Sequence, residues 1–233
     1  MLLVRCFPVL IGCCSIATDV IGQALWQVKA GASYMRCADP LGAGHGRYTG
    51  RAVDGMGYHF GATYGPSADR VLGIHGELLV DIRSTGYTFT ESASFHPATP
   101  IIGTGGHGER SMRTVQLEMP LMLAIRKWPL LRLDVGGGVA HLLKAEERVV
   151  GHVNDNGLEK PLDERNDRTG SMARWEAAAV IGAEVDSGHR LSMGLRLWKG
   201  LTNLDRAEGS TISTATMWQL SMAYAFREAE RTR

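Results

Sequence analysis

Apolar and polar residues alternate strictly through most of this 233-residue chain, and that period of two constrains the fold more than any other feature. Successive side chains of a strand point to opposite faces, so such a stripe marks a strand with two unlike faces. Val115, Leu117, Met119, Leu121, Leu123 and Ile125 form the clearest stripe. Comparable stripes predict eight strands, at 25–36, 53–64, 70–85, 112–126, 130–145, 172–186, 190–201 and 212–226. The Ala-rich stretch from Arg174 to Val185 competes weakly as a helix, but Trp175, Ala177, Ala179, Ile181, Ala183 and Val185 keep period two.

The connections alternate in length. Short links fall at 65–69, 127–129 and 187–189, and long ones at 37–52, 86–111, 146–171 and 202–211. An up-and-down sheet places all long links at one end, as in outer-membrane barrels with short periplasmic turns and long external loops. The expected fold is therefore all-β: an eight-stranded antiparallel up-and-down transmembrane β-barrel. Composition agrees by exclusion. A net charge of +1 leaves no basic excess to neutralise nucleic-acid phosphates. No uninterrupted apolar run is long enough for a transmembrane helix.

Residues 1–24 read as a cleaved secretory signal peptide, with Arg5 as the early charge and Gly22-Gln23-Ala24 at the cleavage position. Leu10-Ile11-Gly12-Cys13 also matches a lipobox, which would lipidate Cys13. Residues 25–226 then form the barrel and 227–233 a short charged tail. Cys6, Cys13 and Cys14 lie in the signal, so Cys37 is left without an intramolecular disulfide partner.

Alternation alone also fits a soluble lipocalin-like ligand-binding barrel, apolar inside. The membrane reading is favoured by the long stripes, by aromatic residues near strand ends (Trp26, Tyr34, Tyr64, Trp128, Trp175, Tyr224, Phe226), and by polar faces rich in Gly, Ala and Ser. On those polar faces Glu77, Asp81, Glu118, Asp134, Glu176, Glu184 and Asp186 stand with Arg83, Arg126, Arg132, Lys144, Arg174, Arg190 and Arg196. Seven against seven in a narrow interior predicts a lumen plugged by ion pairs, because buried charges must pair. Glu184 and Arg190 are expected to pair across the 187–189 turn. Trp198 falls on the polar face and marks a bulge or the outer rim.

Three segments carry a resemblance: QALWQVKAGASY (23–34), the hairpin VQLEMPLMLAIRKWPLLRLDVGGGVAHLL (115–143) with its Gly136-Gly137-Gly138 middle, and LSMAYAF (220–226). The chain resembles the PorT-like, "outer membrane protein beta-barrel domain" group of small Bacteroidetes barrels over most of 25–226. The resemblance implies an outer-membrane location and no single activity. The chain departs from the group's usual ending, since REAERTR follows Phe226.

No catalytic, cofactor or metal residue is assigned from sequence. Gly103-Thr104-Gly105-Gly106-His107-Gly108 matches GxGxxG by letter, but it stands in a Pro- and Gly-rich loop and leads into a strand, where a nucleotide site needs a helix. His45, His96, His107 and His152 fall in expected loops without metal spacing, and His59 and His75 face the expected lumen as hydrogen-bonded core groups. Asn154, Asp155, Asn156, Asp163, Glu164 and Asp167 make the third long loop acidic, without the EF-hand order of ligands. A lipid-modifying enzyme would need a Ser–His–acid set at the outer rim. His141 with Glu146 and Glu147, and with Ser171 or Ser210 as nucleophile, is the one rim cluster the sequence offers. The favoured expectation is a non-enzymatic binding, secretion-associated or envelope-structural protein. Its expected partners are outer-membrane lipid, lipopolysaccharide and a protein at the external loops.

Overall fold

The computed structural model describes residues 24–37, 48–66, 71–91, 106–128, 130–155, 158–187, 190–202 and 215–226. The proposed signal through Gln23, its Cys13, and the tail 227–233 lie outside the described residues. The strands are β1 Ala24–Cys37, β2 Tyr48–Pro66, β3 Leu72–Glu91, β4 Gly106–Ile125, β5 Leu131–Asp155, β6 Leu158–Asp167, β7 Trp175–Asp186, β8 Leu191–Gly200 and β9 Ala215–Ala225.

All pairings are antiparallel, and the sheet closes on itself. β1 pairs with both β2 and β9, and β4 pairs with both β3 and β5. β6 and β7 lie along different lengths of the same neighbour: Glu146–Asp155 of β5 pairs with β6, and Leu131–His141 pairs with β7. They are one stave broken by a turn, so the ring is an eight-stave barrel. Backbone bonds stitch the break, Leu142 N to Arg174 O at 2.9 Å and Arg168 N to Ala145 O at 2.9 Å. Closure leaves no open sheet edge around the barrel wall.

The long connection expected at 146–171 is mostly not a loop. β5 runs on to Asp155 and returns as β6. The acidic residues there are strand residues: Asn154 and Asp155 end β5, and Asp163, Glu164 and Asp167 belong to β6, while Asn156 lies outside the described residues. β2, β3 and β4 likewise extend past their expected outer ends. The β6 arm is solvated on both faces and needs no apolar stripe, so alternation does not mark it. Along β6 every described side chain is exposed or half-exposed.

Burial decides which face is wet. Leu121 is 62% exposed, while Glu118, three residues earlier on the same strand, is 0% exposed. The inversion holds around the ring: Phe60, Ile74, Leu133, Ile181, Leu195 and Leu220 look outward, and Lys29, Asp81, Arg132, Glu184, Arg196 and Gln219 are buried. An apolar wall on this scale is not tolerated against water, so the soluble lipocalin-like alternative fails. Trp26 packs on Tyr64 with ring centroids 4.8 Å apart, and Tyr224 meets Phe226 edge-on at 6.1 Å, near the short-turn end. Tyr34, Trp175 and Trp218 are exposed toward the other end. A closed antiparallel barrel with an apolar band between aromatic girdles is the architecture of outer-membrane proteins, and this chain is an outer-membrane β-barrel.

Candidate functional site

The interior holds a continuous charge network. Glu77 on β3 accepts from Lys29 Nζ on β1 at 2.6 Å and is also paired with Arg196 on β8. Arg196 donates from Nε to Gln219 Oε1 at 2.6 Å, and Gln219 Nε2 donates to Glu118 Oε2 at 3.0 Å. Arg83 pairs with both Asp81 and Glu118, and Ser33 donates to Asp81 at 3.2 Å. Toward the short-turn end Arg132 bridges Asp134 at 3.1 Å and Glu184 at 2.9 Å. His75 stands among Glu77 at 3.5 Å, Asp134 at 3.7 Å and the Arg132 guanidinium at 3.2 Å. Arg126 and Asp186 pair at 3.4 Å, less buried than the rest. The narrow lumen forces this pairing, since an unpartnered charge there would lose water without compensation.

The expected seven-against-seven balance is corrected. Among the described residues seven carboxylates are buried (Glu77, Asp81, Glu118, Asp134, Glu147, Glu176, Glu184), against the cations Lys29, Arg83, Arg132 and Arg196. Lys144, Arg174 and Arg190 are exposed. Arg190 donates to the Tyr224 hydroxyl at 3.4 Å and does not meet Glu184. Register explains this: Glu184 faces Gly194 across β7–β8 and Arg132 across β5–β7, while Arg190 precedes β8. Lys144 is turned outward by a bulge. The β4–β5 register shifts between Val115 and Gln116, so Leu142 is buried while Leu143 and Lys144 are both exposed.

Beside the charge network the lumen holds an apolar filling. Met35, Met122, Ala140, Ala178, Val180, Trp198 and Met217 form one buried cluster. Trp198 is fully buried, and its indole Nε1 donates to Glu176 Oε1 at 3.4 Å. It therefore marks neither a bulge nor the rim; it fills the bore. Period two places Trp198, Met217, Gln219 and Lys29 on the lumen face, but residue type alone did not single them out as the filling.

His59 and His75 both face the lumen, as expected. His75 is bonded, whereas neither ring nitrogen of His59 has a hydrogen-bond partner among the described residues. His107 and His152 are not loop residues; they pair across β4–β5 with stacked rings 5.5 Å apart. His45 and His96 lie outside the described residues. Among the described residues no three His, Cys, Asp or Glu side chains converge as a metal site. Gly106, His107 and Gly108 of the GxGxxG match are β4 residues paired to Val153, His152 and Gly151, and the first half of the match lies outside the described residues.

The rim cluster does not assemble as a catalytic set. His141 packs on Trp175 at 4.3 Å. Glu146 bonds Lys144 at 2.6 Å, and Glu147 turns inward to Arg110 at 3.1 Å. The Ser171 hydroxyl donates to Arg168 O at 3.0 Å, and Ser210 lies outside the described residues. On the projecting hairpin, Arg148 makes two bonds of 2.9 Å to the Asp163 carboxylate, which hold that group below the usual Asp range. Asp167 is held low by the hydroxyl and backbone N–H of Thr169.

No protein-family model matches the chain, and no curated protein matches it. Among solved structures it is similar to Ail, the attachment invasion locus protein of Yersinia pestis, at 10% identity and a TM-score of 0.42, covering 88% of this chain and 100% of that one. It is also similar to Neisserial surface protein A, at 8% identity and a TM-score of 0.38, covering 88% and 100%. A third is the translocator domain of the autotransporter NalP from Neisseria meningitidis, at 13% identity and a TM-score of 0.29, covering 91% and 92%.

Proposed function

We propose that this chain is a non-conducting outer-membrane barrel, acting through its outer end as a binding, secretion-associated or envelope-structural protein. The observation that carries the reading is the double filling of the bore, by an ion-pair network and by the Trp198 cluster packed beside it. With the bore occupied, activity belongs to what projects. The β5–β6 hairpin belongs to that projection together with the outer ends of β2, β3 and β4, and its β6 arm is exposed or half-exposed throughout. Its partners are a protein or other ligand at the external connections, with outer-membrane lipid and lipopolysaccharide around the wall. The PorT-like affiliation and the signal peptide at 1–24 belong to this proposal and rest on the sequence segments alone.

The test is complementation of a deletion strain with the wild-type chain and with one in which residues 150–163 are replaced by a two-residue turn. Both should show the heat-modifiable migration of a folded barrel. The shortened chain should fail to restore the attachment or detergent resistance that deletion impairs. Full restoration by the shortened chain would contradict the reading.

A further inference from the structure

Where the outward face of β3–β6 leaves the apolar band, it becomes charged within one residue step, with cations and carboxylates interleaved. Ile82 of β3 and Val115 of β4 are partners, and Val115 also partners Lys144 of β5. The next row up is Ser84, Arg113, Glu146 and Asp167, and the row above it joins Ser111, Arg148 and Arg165. Lys144 reaches this face only because of the bulge beside Leu143; in unbroken register it would point into the lumen and Ala145 would face out. Bulges re-aim single side chains, and this one brings an ammonium group to the last apolar row. The rows enclose a shallow cavity of about 560 Å³ lined by Arg113, Lys144, Glu146, Arg148, Arg165 and Asp167.

The carboxylates here do not use up the donors. Glu146 takes Lys144 at 2.6 Å, Glu147 takes Arg110 and Arg168 from outside the cluster, Asp163 takes Arg148, and Asp167 is turned to the Thr169 backbone N–H at 2.9 Å. An ammonium has three donors and each guanidinium about five, so most N–H groups of this cluster stay available to a further anion. A phosphate monoester, with three acceptor oxygens and a charge of about −1.5 to −2, matches that supply. Depth selects the source. The cluster lies on the outward face just beyond the last apolar row at the long-connection end, the level at which lipid headgroups meet a barrel wall and cations attract anionic lipid.

We propose that Lys144, Arg113, Arg148 and Arg165 form a binding site for the phosphate of a phosphorylated glycolipid in the outer leaflet. The site rests on the reading that the wall faces lipid, and it is independent of whether the bore conducts.

The experiment uses the full chain in nanodiscs and native mass spectrometry, with bisphosphorylated lipid A, dephosphorylated lipid A, inorganic phosphate and a sulfated oligosaccharide as probes. The expected result is retention of the bisphosphorylated lipid over its dephosphorylated form. The double variant Lys144→Gln/Arg113→Gln should lose at least about tenfold of that preference, the scale of 1.4 kcal/mol of charge-assisted bonding. Lys127→Gln, at the short-turn end, should retain it. Heat-modifiable migration of each variant confirms that the barrel is folded and lipid-embedded, so failure of the wall reading shows separately. Equal retention of both lipids would overturn the site. So would an unchanged preference in the double variant, or displacement of the lipid by inorganic phosphate or the sulfated sugar at equal concentration.

Discussion

The indole of Trp198 occupies the space that any side chain at Gly138 would need: a Cβ at Gly138 would fall 2.6 Å from the indole Cη2. The Gly136-Gly137-Gly138 run therefore has a packing reason at its last member, a close approach by the largest side chain in the bore. Gly138→Val should force Trp198 off its position and destabilise the barrel by about 1–3 kcal/mol, the range for overpacking. Trp198→Ala should cost about 3–5 kcal/mol. Urea titration in lipid, followed by gel mobility, reads both, and a neutral Gly138→Val would remove the Trp198 contact from the account.

Glu77 is a hub of the network, holding Lys29 and Arg196 together. Glu77→Ala leaves two buried cations facing each other and should cost about 3–5 kcal/mol. By the same logic Glu184→Ala should be worse than the double change Arg132→Met/Glu184→Leu, which removes charge of both signs. The comparison needs only the two unfolding midpoints. A double variant less stable than the single would show that the pairs stabilise beyond charge balance.

Much of this was legible as parity. Stripes on β1, β4, β7 and β9 separate Leu121 from Glu118 and Leu220 from Gln219 on the sequence alone. Parity fails where backbone geometry changes without a change of composition. The bulge at Leu143 is silent in sequence, so Lys144 reads as a lumen residue and its place in the outer cluster is hidden. The β5–β6 hairpin is hidden for another reason: β6 is held by backbone pairing with no apolar face, so LEKPLDERND reads as a loop. Partner choice inside the bore was illegible too, because Glu184 meets Arg132 through the pairing of strands far apart in sequence, whereas Arg190 is merely near in sequence.

The outward stripe gives a direct substitution test. Leu121→Arg places a charge on the exposed wall and should cost about 2–4 kcal/mol if the residue lies at the bilayer midplane. Leu121→Val should cost far less. Refolding yield into vesicles of fixed composition separates them, and equal yields would move Leu121 out of the lipid.

The hairpin carries its own pH dependence. Asp163 and Asp167 are held below the usual Asp value by Arg148 and Thr169. A depressed folded-state value means the contribution is complete above the ordinary Asp range, about pH 4, and is lost as pH falls through the lowered values. Hydrogen exchange should therefore show β5–β6 above the membrane opening on acidification below about pH 4, ahead of the barrel staves. Asp163→Asn should already exchange fast at neutral pH. Protection that does not change with acid would contradict the Arg148–Asp163 contribution.

The filled bore is tested most directly by single-channel recording of the refolded wild-type chain in planar bilayers. The account predicts a silent membrane for the wild type, with steps appearing when the filling is removed by Trp198→Ala combined with Glu77→Ala. Stable, large steps from the wild type would contradict it.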